Sequence, residues 1–322
     1  MAENSGIEWT DHTFNPWEGC TKISPACDNC YAAARAERFG TVVWGGPRRR
    51  TSEANWNKPL KWEKNADSFL EENGRRQRVF CASLADVFDN QVPEEWRADL
   101  WDLIRKCPSL DWLLLTKRPQ NIEGMLPPFW DEIKGRIWLG TTVENQAIAD
   151  RNIPHLLKHD AAVRFLSCEP LLGPIDLWHK DIGGTLWIGY QRGCGGMHKH
   201  GGKAGEIIHG EKHRGDPHFL HHHHDNRCRR GLDWVIAGGE SGSYARPSRE
   251  QWFVDLMMQC RRASTPFLFK QWGEYVPADM TDKAAKDAHP KDMILVGKKN
   301  AGRLLLGREH TDFPDSPEDP YV

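Results

Sequence analysis

Apolar positions along this chain fall into short continuous runs separated by stretches with helical periodicity. RVFCASLADVFD (78–89) opens on a β-type run and turns polar at Ser83 and Asp86. Pro93 then opens PEEWRADLWDLIRKCP, where Trp96, Leu100, Leu103, Ile104 and Cys107 recur at helical spacing behind an acidic first turn. DWLLLTKRP (111–119) is a continuous apolar run ending in Thr116-Lys117, the pattern of a strand buried on both faces. The unit repeats. RIWLGTTVEN (136–145) runs to Thr141-Thr142 and leads into a helix through Leu156, and VRFLSCEPLLGPIDL (163–177) turns polar at Ser167-Cys168-Glu169. LDWVIAGGESG (232–242) ends in Gly238-Gly239-Glu240 before the helix SREQWFVDLMMQCRRAS, and PFLFKQWGE (266–274) carries Lys270 and Gln271.

Strand and helix in alternation predict an α/β fold of parallel βα units. Strand after strand changes from apolar to polar at its C-terminal end. This selects a partial (β/α)6-type barrel over an open sheet, because in a barrel those ends converge on one face. The predicted organisation is a first part of the barrel over 1–178 with a cysteine loop at 14–36, an insertion over 179–231, the end of the barrel over 232–276, and a C-terminal extension over 277–322. Within the extension, MILVGKKNAGRLLLG reads as a small hairpin across Gly297 to Gly302. Residues 40–77 read as loop with short helical pieces.

The candidate chemistry concentrates in FNPWEGCTKISPACDNCYAAARA (14–36). Cys20, Cys27 and Cys30 are spaced C-x6-C-x2-C, and the alanines that follow predict a helix beginning just after Cys30. A helix N-terminus favours thiolates. Three thiolates suit a 4Fe–4S cluster with one iron left open for a substrate or cofactor. They suit zinc equally, with His12 as a fourth ligand, and the cysteines alone do not choose. Within the insertion, residues 189–231 hold Cys194, Cys228 and nine of the fifteen histidines; they read either as a second zinc site on those cysteines or as a loop with incidental histidine content.

Composition narrows the partners. Hydrophobic residues at 39% and charged residues at 27% describe a soluble globular chain, and no apolar run approaches the roughly 18–20 residues that span a bilayer. With no secretory signal at the N-terminus and an odd nine cysteines, a cytoplasmic location and no membrane partner are expected. A net charge of −2 argues against coating nucleic acid by charge alone. Arg48-Arg49-Arg50 and Arg227 with Arg229-Arg230 are local basic runs that either steer a phosphate backbone or are ordinary surface. Fifteen tryptophans, among them Trp17, Trp44 and Trp272, either stack on bases or pack in a core.

On these stretches the chain resembles the radical S-adenosylmethionine (SAM) enzymes. NPWEGCTKISPACDNCYA, LLTKRP, LGTTVEN, FLSCEPLLGPIDL, VIAGGESG-x3-RP and PFLFKQWGE are similar to an uncharacterised phage-associated three-Cys-motif family. More distantly the chain resembles the spore photoproduct lyase branch, whose third strand likewise ends in Thr-Lys. Two features depart from the superfamily: its usual spacing is C-x3-C-x2-C, and its GGE motif normally ends the second strand rather than a late one. The resemblance implies a 4Fe–4S cluster on Cys20, Cys27 and Cys30, SAM chelated at the open iron, and reductive cleavage to a 5′-deoxyadenosyl radical. It also implies an electron donor such as flavodoxin or ferredoxin. Ser83 and Asp86 would bind the SAM amino group, Thr116 and Lys117 the carboxylate, and Thr141 and Thr142 the ribose or carboxylate. Glu144, Asn145, Glu169, Glu240, Lys270 and Gln271 would face the substrate, with Lys117, Glu144, Glu169 and Glu240 as the catalytic candidates. Cys81 and Cys168 are either hydrogen-atom donors or small core residues. The implied substrate is a nucleobase in DNA or RNA, or a nucleotide, and a co-encoded protein partner is plausible. The competing reading is a non-catalytic, zinc-stabilised module that binds nucleic acid or protein.

Overall fold

The computed structural model describes residues 5–178, 187–188, 231–284, 289 and 292–314. Seven strands form one parallel sheet in chain order: β1 (His12–Phe14), β2 (Gln77–Cys81), β3 (Leu110–Thr116), β4 (Ile137–Thr142), β5 (Val163–Cys168), β6 (Trp234–Gly238) and β7 (Phe267–Gln271). Four longer helices accompany them: α1 (Tyr31–Phe39), α2 (Glu94–Lys106), α3 (Gln146–Leu156) and α4 (Glu250–Ala263). The expected α/β partial barrel is the fold. Residues 40–77 carry short helices at Glu53–Trp56, Lys58–Lys64 and Ala66–Asn73.

Strand alternation divides the apolar residues into two cores. Val79, Trp112, Leu114, Leu139, Leu166 and Val235 join Leu100, Ile153 and Phe253 of the helices in the outer layer. Phe80, Leu113, Trp138, Phe165, Trp234 and Leu268 point to the opposite face and form a second, aromatic cluster. Trp9, from the segment before β1, enters that cluster with its ring 4.7 Å from Phe80 and edge-on to Trp234. A Cβ at Gly140 would lie 2.4 Å from the Phe165 ring, so β4 needs glycine there for Phe165 to cross it. The concave face is thus filled by aromatic packing below the C-terminal ends of the strands.

A hairpin is present in the C-terminal region, but its strands are Tyr275–Pro277 and Met293–Leu295, paired antiparallel with Val276 opposite Ile294. Gly297 and Gly302 do not make its turn; they bracket a helical turn at Lys298–Ala301. The chain leaving β7 offers a nearer strand, and Val276, Val296, Ala301 and Leu305 are buried in this arrangement.

Trp17 and Trp272 are core residues. The Arg48–Arg50 run is committed within the chain rather than offered to phosphates. Arg48 pairs with Asp89 at 2.6 Å in full burial, Arg49 pairs with Glu18, and Arg50 pairs with Asp99 and lies over the Trp56 ring. Cys194, Cys228, the nine histidines and Arg227, Arg229 and Arg230 lie outside the described residues. No helix among the described residues is long and apolar enough to cross a membrane.

Candidate functional site

At the C-terminal ends of the strands lies a cavity of about 400 Å³. α1 starts at Tyr31 with Cys30 as its N-cap, the boundary the alanines predict. Cys20, Cys27 and Cys30 all line the cavity, and none is in a disulfide. The strand ends opposite contribute Ser83, Lys117, Thr142, Ser167, Glu169 and Lys270. Alternation sorts the paired candidates. Thr142 lines the cavity with its buried hydroxyl unpartnered, whereas Thr141 turns to the outer face, where its hydroxyl donates to the Thr116 carbonyl at 2.9 Å. Lys117 reaches the cavity, and no acid among the described residues pairs with it.

Several predicted ligands are occupied by the protein itself. Asp86 borders the cavity, but Oδ1 accepts from the Thr116 hydroxyl at 2.7 Å and the Phe88 N–H at 2.9 Å. Its Oδ2 accepts from the Lys117 N–H and Arg118 Nη1, each at 3.1 Å. Both oxygens are taken, so Asp86 and Thr116 brace the β3 end and do not stand free for a SAM amino or carboxylate group. Arg118 continues from Asp86 to the cysteine loop: Nη1 donates to Cys20 Sγ at 3.4 Å and Nη2 to the Thr21 carbonyl at 3.0 Å. Burial, followed by Asp86, pushes the Cys20 thiol up, and Arg118 opposes that rise. Burial works against the Arg118 charge, but Asp86 and Cys20 more than offset it.

Two catalytic candidates are also loop braces. Glu144 is fully buried and does not line the cavity; Oε1 accepts the Ala26 N–H at 3.1 Å and Oε2 is unpartnered. Glu240 lines the cavity, yet its carboxylate accepts from Asn29 Nδ2, the Arg246 N–H, Arg246 Nε and Arg246 Nη2 at 3.0, 2.7, 2.9 and 2.5 Å. Arg246 also reaches Asp28 and the Pro25 carbonyl, each at 2.9 Å, and so ties the cysteine loop to the end of β6. Burial raises the Glu240 carboxyl, but these donors outweigh it and hold the group below the ordinary range. A Cβ at Gly239 would fall 1.8 Å from the Trp272 carbonyl, so only glycine lets the strand end carrying Glu240 approach this closely.

Asn145 caps α3 by accepting the Ile148 N–H at 3.1 Å and does not face the cavity. Glu169 pairs with Lys270 at 2.9 Å, and Gln271 donates to the Ser241 hydroxyl at 3.0 Å; these residues do line the cavity. Ser83 accepts from Asn15 Nδ2 at 3.0 Å. Cys81 and Cys168 are fully buried outside the cavity, and burial pushes both thiols up, so they are core residues. His12 is held at 2.7 Å by Gln77 and stacked 4.2 Å over Trp62, away from the cavity, so it is no fourth ligand to the loop. Among the described residues no three His, Cys, Asp or Glu side chains converge on a single ion. Arg118 and Arg246 escape sequence reasoning, although both sit inside quoted motifs: Arg118 follows Lys117 in LLTKRP, and Arg246 is the arginine of the RP that closes the GGESG stretch.

No curated protein matches the sequence. Among solved structures, a double mutant of spore photoproduct lyase with bound AdoMet and dinucleoside spore photoproduct aligns at 12% identity and a TM-score of 0.34. That alignment covers 51% of this chain and 46% of the other. A single mutant of the same lyase aligns at 12% identity and a TM-score of 0.34, covering 56% and 49%. The chain thus spans about half the length of either, and the likeness is too slight to bear on function. Residues 4–314 match the model of the family described as protein of unknown function DUF5131, and the chain belongs to that family.

Proposed function

We propose that this protein is a radical SAM enzyme acting on a nucleobase or nucleotide. The observation that carries the reading is the meeting of Cys20, Cys27 and Cys30 with a row of polar strand ends around one cavity, at the open end of a parallel half-barrel. The donor set fits a cubane better than zinc. Among the described residues, three thiols border a shared cavity whose lining holds no histidine, its carboxylates Asp86, Glu169 and Glu240 are each paired with a basic side chain, and no single-ion cage forms. The cluster would supply the electron that cleaves SAM.

The remaining work falls to the chain's own side chains. Lys117 is a cationic head with no acid partner among the described residues and suits the SAM carboxylate. The Thr142 hydroxyl, buried and unpartnered, suits a ribose hydroxyl or the same carboxylate. Ser83 remains a candidate for the amino group. Glu169 and Lys270 present an acceptor and a donor side by side on the wall where a substrate edge would lie. Asp86, Glu144 and Glu240 hold the strand ends and the loop in register and are positioning residues. Trp44 and Tyr31 line the cavity with Lys117 and Lys298, an aromatic and basic wall suited to a base carrying phosphate. A small iron–sulfur or flavin protein of the flavodoxin or ferredoxin type would deliver the electron, and the cytoplasm is the compartment that suits such chemistry.

The test is anaerobic reconstitution with iron and sulfide, reduction, and assay for 5′-deoxyadenosine. Wild type should form it, Cys27→Ala should not, and Lys117→Ala should need at least tenfold more SAM, the equivalent of about 1.4 kcal/mol. A wild type that binds only zinc, and stays colourless, overturns the reading.

A further inference from the structure

We infer that Arg118 is a positioning residue for Cys20, presetting the first cysteine across the widened gap and raising the reduction potential of a cluster held there. The inference rests on the cluster reading above and assigns a residue which that reading leaves without a role. Six residues separate Cys20 from Cys27, and a loop that long, left to itself, costs entropy to order. Here its first turn is held from beneath by two guanidinium groups. Arg118 Nη2 donates to the Thr21 carbonyl at 3.0 Å, and Arg48 Nη2 donates to the Thr21 hydroxyl at 2.7 Å.

Both arginines are fixed by buried acids on the segment after β2. Arg118 and Asp86 are each 6% exposed, while Arg48 and Asp89 are at 0% and 1%. Arg118 Nε also lies 3.9 Å from Asp89 Oδ1, which joins the two pairs into one network. From that network Arg118 Nη1 extends to Cys20 Sγ at 3.4 Å. Among the described residues neither Cys27 nor Cys30 has a guanidinium partner; Cys27 Sγ has the Ser24 hydroxyl at 3.9 Å. The environment of the three thiols is therefore unequal, with a buried positive donor on Cys20 alone.

A charged N–H directed at a ligand sulfur draws electron density away from the iron and favours the reduced state. The planar fork matters as much as the charge. Arg118 bonds Cys20, Asp86 and the Thr21 carbonyl together, which a lysine ammonium at the end of a flexible stem does not reproduce.

The test compares the reconstituted full chain as wild type, as Arg118→Lys, and as Arg118→Met combined with Asp86→Asn, so that no buried carboxylate is left unpaired. Iron per chain is counted, and the midpoint potential is read by a mediated redox titration followed by electron paramagnetic resonance. In the double variant the reduced-to-oxidised ratio at a fixed potential should fall about tenfold, or about 59 mV for one electron. Arg118→Lys should fall between. Loss of iron from the double variant, with the native circular dichroism retained, supports the presetting role. Equal potentials and equal iron in all three proteins overturn the proposal alone. A wild type that takes up no cluster overturns the reading beneath it as well, and that is seen before any variant is made.

Discussion

Replacing Glu240 by glutamine separates a loop brace from a catalytic acid. The carboxylate takes four hydrogen bonds, three from Arg246 and one from Asn29, and through Arg246 it fixes residues 25 and 28 of the cysteine loop. Glutamine keeps the shape but turns one acceptor into an N–H₂ group that faces a donor. A hydrogen bond to a charged group contributes about 1.5–3 kcal/mol. The Arg246 side chain is a third exposed, and water screens part of the charge, which brings the expected loss to about 1–2 kcal/mol. The sign with pH follows from the lowered folded-state pKa. The stabilisation is fully present above the unfolded-chain value of about 4.3 and is lost as pH falls through the folded value. Urea midpoints of wild type and Glu240→Gln should therefore differ at neutral pH and converge once pH has fallen through the lowered folded-state value. A gap that is absent at neutral pH, or that persists unchanged into acid, refutes the brace.

Asp86→Ala should cost about 3–5 kcal/mol, because it takes from the buried Arg118 charge its hydrogen-bonded acid and leaves only Asp89 at 3.9 Å; a thermal midpoint near that of wild type would contradict the network. Glu144→Gln keeps an acceptor for the Ala26 N–H and should leave both stability and SAM cleavage nearly unchanged, whereas Glu144→Ala should cost about 1–3 kcal/mol in denaturant titration. Loss of turnover in Glu144→Gln at native stability would restore its catalytic role. Thr142→Val removes a hydroxyl with no partner among the described residues, so it should not lower the melting point of the ligand-free protein. It should weaken SAM binding about tenfold, read by calorimetry on the reconstituted protein.

The parallel strands were legible because continuous apolar runs ended in polar residues at regular intervals, and the start of α1 was legible from the alanines after Cys30. Alternation along those strands was also present in the sequence. Trp138, Gly140 and Thr142 share one face of β4, whereas Leu139 and Thr141 share the other, which separates the cavity threonine from the structural one. In sequence a strand-end acid looks the same whether it awaits a ligand or already holds an arginine. Asp86 is satisfied by Arg118, 32 residues on, and Glu240 by Arg246 across a tight turn. Only the folded chain brings those partners together. Trp9 gave no periodic signal, since a single residue of an irregular segment fills the barrel floor. The hairpin was displaced because Gly297 and Gly302 suggest a turn, while the partner strand lies before them at Tyr275–Pro277.

The most direct test of the central claim is the electron paramagnetic resonance spectrum of the reduced, reconstituted protein before and after SAM is added. A cluster with one iron open to this cavity should give a signal that SAM alters in wild type and that Lys117→Ala shifts to higher SAM concentration. A reduced cluster whose spectrum is indifferent to SAM at saturating concentration would contradict the account.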